Sequence, residues 1–147
     1  MGQQQLLLLV LSTVIVGLAT VAGIQAFSEN QAQATQDALV QRATELGSDA
    51  LAAHGKPSAM GGVTLSNGNT GDIASAIGLS NATGIDADGA GDGASCDIKS
   101  GNGDHSFDNS PDIHIECIGG GAEIEVGVDP DASGNKIETG IVSSASV

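Results

Sequence analysis

The residues with the most chemical potential lie between positions 86 and 97. Asp86-Ala87-Asp88-Gly89-Ala90-Gly91-Asp92-Gly93 runs on to Asp97. In the register of a calcium-binding EF-hand loop, Asp86, Asp88, Asp92 and Asp97 stand at positions one, three, seven and twelve, with Gly91 at the turn position six. Ala90 and Ala94 occupy positions five and nine, where further oxygen ligands belong, and no helical pattern flanks the loop. A solvated Gly–Asp loop in an acidic chain is the plainer reading. Calcium is the one cofactor this register admits; no other cofactor is expected.

The remaining reactive side chains point away from catalysis. His54, His105 and His114 have no mutual spacing suited to zinc, and Asp104-His105-Ser106 are sequence neighbours that cannot fold onto one another as a triad. His54 falls at the end of a helical pattern, where a cation suits the dipole. His105 falls in a polar loop, and His114 on the solvent side of a strand. The two cysteines, Cys96 and Cys117, lack the C-x-x-C spacing of redox catalysts. No G-x-S-x-G, phosphate loop or dinucleotide fingerprint occurs. An enzyme is not expected.

The elements around these residues are sharply divided. The chain has 147 residues and a formal charge of −14, with 4 Lys or Arg against 18 Asp or Glu, no Trp, no Tyr and 2 Phe. One modest domain fits this length. Nucleic acid is excluded as a partner, because there is almost no basic surface to neutralise phosphate and too few aromatics to stack bases. The acidic excess suits a high-salt habitat, where screening removes most of the self-repulsion. None of this charge lies in the first 28 residues. Within them, LLLLVLSTVIVGLATVAGI (6–24) is interrupted only by Ser, Thr and Gly. Extended to Phe27 it makes a helix of about 33 Å, enough to cross a hydrocarbon core of about 30 Å. A cleavable secretory signal is the rival reading, since Ala19-Thr20-Val21-Ala22 offers small residues. However, the flank Gly2-Gln3-Gln4-Gln5 lacks the basic residues such signals carry.

Residues 28–56 continue the helix in a different chemistry. Leu39, Ala43, Leu46, Ala50 and Ala53 recur at alternating steps of four and three and form one face. Gln36, Asp37, Gln41, Arg42 and Asp49 form the other. Nothing at the junction with Phe27 stops a helix, so the two segments form one rod over about residues 3–54, about 78 Å long. Gly47-Ser48 is its candidate kink, and Gly55 its left-handed cap, followed by Pro57.

A long N-terminal helix, apolar in its first half and one-sided in its second, ahead of a small head, resembles type IV pilins and pseudopilins. The resemblance covers the first 57 residues well and the rest in outline. It implies an α+β fold in three parts: a transmembrane or filament-core half-helix (1–27), its amphipathic continuation (28–56) and a β-rich head (57–147). It implies insertion in the inner membrane, peptidase trimming after Gly2 to leave Gln3 as the new N-terminus, and extraction into a cell-surface or extracellular homopolymer. The filament core would be bundled through Leu6, Leu7, Leu8, Leu9, Leu11, Ile15, Leu18 and Ile24. Ser12, Thr13, Gly17, Thr20 and Gly23 would allow close helix contacts there. The family's heads sometimes bind calcium in acidic loops. Counted from Gln3, the fifth residue is Leu7 where the family usually carries Glu, and the leader Met1-Gly2 lacks the usual basic residues. Gln3, Gln4 and Gln5 are then either neutral hydrogen-bonding substitutes for that acid or a polar cap at the membrane interface. The expected function is a structural filament subunit. The alternatives are a monomeric, single-pass membrane-anchored binding module, with calcium as its candidate ligand, and a minor pseudopilin.

The head holds 17 of the 22 Gly and 14 of the 18 acids, and is poor in large aliphatic side chains. Alone it would be marginal, so the helix face and a disulfide are natural supplements. Ile113, Ile115 and Cys117, then Ala122, Ile124, Val126 and Val128, alternate with polar residues around Gly119-Gly120-Gly121. A two-residue turn at Gly120-Gly121 sets Cys117 opposite Ile124 and puts every apolar residue on one side. Placing Cys96 opposite Cys117 aligns Ile98 with Ile115 and Ser100 with Ile113. Export favours a disulfide there over two buried thiols. A further strand is expected over 136–142, and Val63 and Leu65 are candidates for a short one. One or two helical turns are expected over 72–79.

Overall fold

The computed structural model describes residues 2–66, 68–108 and 110–143. Met1 and the last four residues, which the sequence reading assigned to the first segment and the head, lie outside them. A single helix, α1, runs unbroken from Gly2 to His54. It is followed by a 3-10 turn (Ser58–Met60), a short helix α2 (Thr70–Ala76) and five strands. The strands are β1 (Ile85–Asp86), β2 (Ser95–Ser100), β3 (Ile113–Gly119), β4 (Ala122–Val128) and β5 (Ile137–Ser143). They form one antiparallel meander in sequence order.

The register follows from the period of two. Cys96 pairs with Cys117, Ile98 with Ile115 and Ser100 with Ile113. Across the next hairpin Cys117 pairs with Ile124 and Gly119 with Ala122. The turn between them has φ of 57° at Gly120 and 81° at Gly121, left-handed values that only glycine adopts without strain. This parity turns Ile98, Ile113, Ile115, Ile124, Val126 and Val128 toward α1, where all are buried. The helix answers with Leu39, Ala43, Leu46, Gly47, Ala50 and Ala53, its whole buried set. Its main contacts are with β3 and β4, the centre of the sheet. Cys96 and Cys117 are joined in a disulfide within this core.

Several local expectations are corrected. The helical assignment continues through Gly47, which faces the sheet: a side chain there would meet Val126, Val128 and Ile115. Gly55 does not take the left-handed region; its N–H donates to Leu51 O at 3.2 Å as one more helical turn, and Gly61, at φ 81°, makes the reversal. Val63 and Leu65 form no strand. Val63 N–H donates to Ala53 O and Leu65 N–H to His54 Nδ1, so the chain after the helix is pinned to its last turn. His54, the basic residue of the helix's last turn, thus also latches this loop through Nδ1.

The largest departure concerns the sheet's outer face. His114 is only 4% exposed and Glu125 is fully buried, although strand parity points both away from α1. The β2–β3 connection folds back over this face and covers them. It can lie flat because two outward positions are glycine. A Cβ on Gly127 would sit 3.1 Å from the Phe107 ring and 3.0 Å from Pro111, and one on Gly140 would collide with the His105 ring.

Candidate functional site

Two regions have more exposed or concentrated chemistry than the fold alone requires. The first is the N-terminal half of α1. Residues 2–31 are exposed without exception, and Leu6, Leu7, Leu8, Leu9, Leu18 and Ile24 each keep more than 60% of their surface open. Leu11 and Ile15 are likewise exposed, so none of the eight expected assembly positions is used inside the molecule. The hydroxyls in this stretch are satisfied by their own helix: Ser12 donates to Leu9 O, Thr13 to Val10 O and Thr20 to Val16 O, at 2.8–2.9 Å. As far as Phe27 the surface therefore presents no charged side chain and no unpaired hydroxyl, as contact with lipid or with another apolar helix demands; Glu29 carries the first charge. Gly17 and Gly23 leave open notches with nothing within 4 Å of a would-be Cβ. The segment is long and apolar enough to cross a membrane. An uncovered apolar surface of this extent is far beyond what soluble monomers carry. Gly2 and Gln3, the expected processing pair, lie in the exposed first turn.

The second region lies on the sheet's outer face, at the other side of the head. Lys99, Asn102, Gly103, Asp104, His114, Glu116 and Glu125 line an open cavity of about 240 Å³. Glu125 is its floor. Its Oε1 accepts the Asp104 N–H at 2.9 Å and its Oε2 the His105 N–H at 2.7 Å, so the loop that buries the carboxylate also stabilises its charge. His114 Nδ1 is 2.7 Å from Gly101 O. A carbonyl only accepts, so Nδ1 carries the proton. Glu116 pairs with Lys99 at 2.6 Å. This hydrogen bond is the main reason the Lys99 ammonium is held above its usual range, with partial burial opposing it and the charges of Glu116, Asp97 and Glu123 assisting. Glu123 is also pushed above the ordinary carboxylate range, first by burial and then by the negative charges of Glu116, Glu125 and Asp104. Three carboxylates, Glu116, Asp97 and Glu123, thus act on one ammonium.

The aspartates singled out in the sequence occupy a different place. Asp86 ends β1, and Asp88 and Asp92 follow in the β1–β2 connection, where Gly89, Gly91 and Gly93 all take left-handed φ; all three aspartates are exposed. Asp97 is on β2, and its Oδ1 accepts the Gly84 N–H at 2.8 Å. Arg42 reaches the same loop through Asp86 O. Among the described residues, the groups of three whose ligand atoms lie within 4.8 Å of one another are His114–Glu116–Glu125 and Asp104–Glu123–Glu125. Neither draws on those four aspartates. The sequence missed the outer-face cluster because Lys99, His114, Glu116, Glu123 and Glu125 are strand residues with ordinary polar parity, and Asp104 reaches them only through the fold of a loop. The available signal was the pair of glycines, Gly127 and Gly140, inside strands at outward positions, which marks close approach of another backbone.

No family model, curated protein or solved structure matches this chain. Its architecture is nonetheless pilin-like: a long apolar N-terminal helix whose second half is docked on a small antiparallel sheet.

Proposed function

We propose that this chain is the structural subunit of a pilin-like extracellular filament. Subunits are held in the membrane by the apolar half of α1, then bundle through the same surface into a helical polymer with the acidic heads outside. The observation that carries this reading is the division of one continuous helix. Leu39 onward is committed to the head, whereas residues 2–31 stay exposed throughout. A surface of that kind is covered by lipid before assembly and by copies of itself afterwards. Contacts between unlike faces of identical rods build an open helical polymer when the rotation from one copy to the next does not close into a ring.

A monomeric membrane-anchored module is the second reading. It is favoured by the hydroxyls of Ser12, Thr13 and Thr20, which are satisfied within the helix and ask for no neighbour. Negative-stain microscopy of material sheared from the cell surface separates the two. Filaments that contain the chain and vanish on its deletion support the polymer. A chain confined to the membrane fraction under every growth condition refutes it and leaves the anchored module. Sequencing the N-terminus of the mature chain adds an independent check: Gln3 is the residue expected from prepilin-type processing.

A further inference from the structure

We propose that His114, Glu116 and Glu125 form a binding site for a single divalent transition ion of the zinc and manganese class, which clamps the β2–β3 connection to the sheet. The three side chains come from two adjacent strands and share the outer face, with ligand atoms within 4.8 Å of one another. What distinguishes the group from a patch of surface acids is the imidazole. His114 is 96% buried, as its 4% exposure implies, and its Nδ1 proton is committed to Gly101 O. That leaves Nε2 as the ring atom able to offer a lone pair to a metal, and it takes no hydrogen-bond partner among the described residues. A backbone carbonyl that orients a histidine through Nδ1 is the usual outer support of a metal-binding Nε2. Glu125 is equally prepared, because each oxygen receives one backbone N–H and keeps a second lone pair. Glu116 supplies the third donor at the cavity's mouth, its charge shared with Lys99.

The donor set selects the ion. One imidazole with two carboxylates suits borderline first-row ions, whereas calcium wants six or more oxygens. The ion's structural effect follows from the attachments of its ligands. Glu125 holds the Asp104 and His105 amides and His114 holds the Gly101 carbonyl, so a metal joining the two side chains locks both ends of that stretch onto β3 and β4. This proposal does not rest on the filament reading, and its test does not require a polymer.

The test is calorimetric titration of the full chain, solubilised in detergent, with Zn²⁺ alone and separately with Ca²⁺. Thermal melts are followed by circular dichroism, since there is no Trp or Tyr to report by fluorescence. One Zn²⁺ per chain is expected, bound more tightly than Ca²⁺ and raising the melting temperature. Glu116→Gln and His114→Gln are each expected to weaken Zn²⁺ at least about 10-fold, the lower limit for loss of even an outer support. Glu116 is a partly exposed strand residue, so its variant keeps the comparison informative if the His114 variant fails to fold. Lys99→Met, which removes the competing cation, is expected to tighten binding. Absence of Zn²⁺ uptake overturns the proposal, as does uptake unchanged in Glu116→Gln. So does uptake lost in an Asp86→Asn/Asp88→Asn variant but retained in Glu116→Gln, which would move the site to the aspartate loop.

Discussion

Glycines at two points of α1 test whether the helix has two separate jobs. An ideal Cβ on Gly47 would lie 3.3 Å from Val126 Cγ1 and Val128 Cγ2 and 3.5 Å from Ile115 Cδ1. Those three side chains are fully buried. Gly47→Leu adds three further carbons beyond the Cβ, and overpacking of this kind costs about 1–3 kcal/mol. The better helix propensity of Leu returns about 0.8 kcal/mol. The net loss, up to about 2 kcal/mol, corresponds to a fall of up to about 8 °C in the melting temperature of a domain this size. Gly17 has nothing within 4 Å, so Gly17→Leu leaves the head's melting unchanged while filling a notch in the surface proposed for assembly. The assay is a pair of melts in detergent, with hydrogen exchange of the β3 and β4 amides to assign any loss to the helix–sheet seam. Filament yield from the same strains supplies the second axis. An unchanged melt for Gly47→Leu would refute the close approach of helix and sheet. An equal fall for Gly17→Leu would show that the apolar half is engaged within the molecule.

Two further outcomes follow from the head. Cys96→Ala/Cys117→Ala opens a loop with a sequence separation of 21, and loop-closure entropy sets the expected loss at about 3 kcal/mol in denaturant titrations; a loss below about 1 kcal/mol would show that the core does not need this cross-link. Glu123 binds its proton more tightly when folded than when unfolded. Stability from that site is therefore fullest below the unfolded carboxylate pKa and is lost as pH rises through the raised folded value. Glu123→Gln is accordingly expected to melt higher than the parent at neutral pH, with the advantage gone below about pH 4; a parent that melts higher at pH 7 would contradict the sign.

What was legible in the sequence is what local periodicity dictates. The stripe from Leu39 to Ala53, the pairing of Cys117 with Ile124 and the alignment of Cys96 with Cys117 are consequences of 3.6-residue and two-residue repeats and a glycine turn. What was not legible depends on where a loop goes. His114 and Glu125 have the parity of exposed strand residues, and only the return of the β2–β3 connection buries them. That return is enabled by Gly127 and Gly140, whose role is invisible until the loop is seen lying on them. The packing role of Gly47 was hidden for a related reason. A glycine in a helix breaks or bends it when nothing is nearby, and lets a sheet approach when one is. Asp86, Asp88, Asp92 and Asp97 have a ligand-like spacing in the chain, whereas the outer-face triad draws on two strands and has no spacing to recognise.

The two halves of α1 also explain how so little aliphatic material sustains a head. The sheet's inner face is covered by a helix that brings its own apolar stripe. Its outer face is covered by a loop held through Glu125, with Glu138 accepting the Asp108 N–H further along. The head is thus closed on one side by apolar burial and on the other by carboxylates satisfied by backbone amides. That arrangement tolerates high acidity, because some of the negative charge is spent on loop N–H groups and not left facing other charge. It also ties the geometry of the head to the rod. Since α1 is unbroken from Gly2 to His54, a neighbour that docks on residues 2–31 meets a head whose azimuth is already set by Leu39, Leu46 and Gly47. A polymer built on the apolar half would inherit its outer surface from that stripe, and with it the outward placement of the His114–Glu116–Glu125 cavity on the face of the sheet opposite the rod.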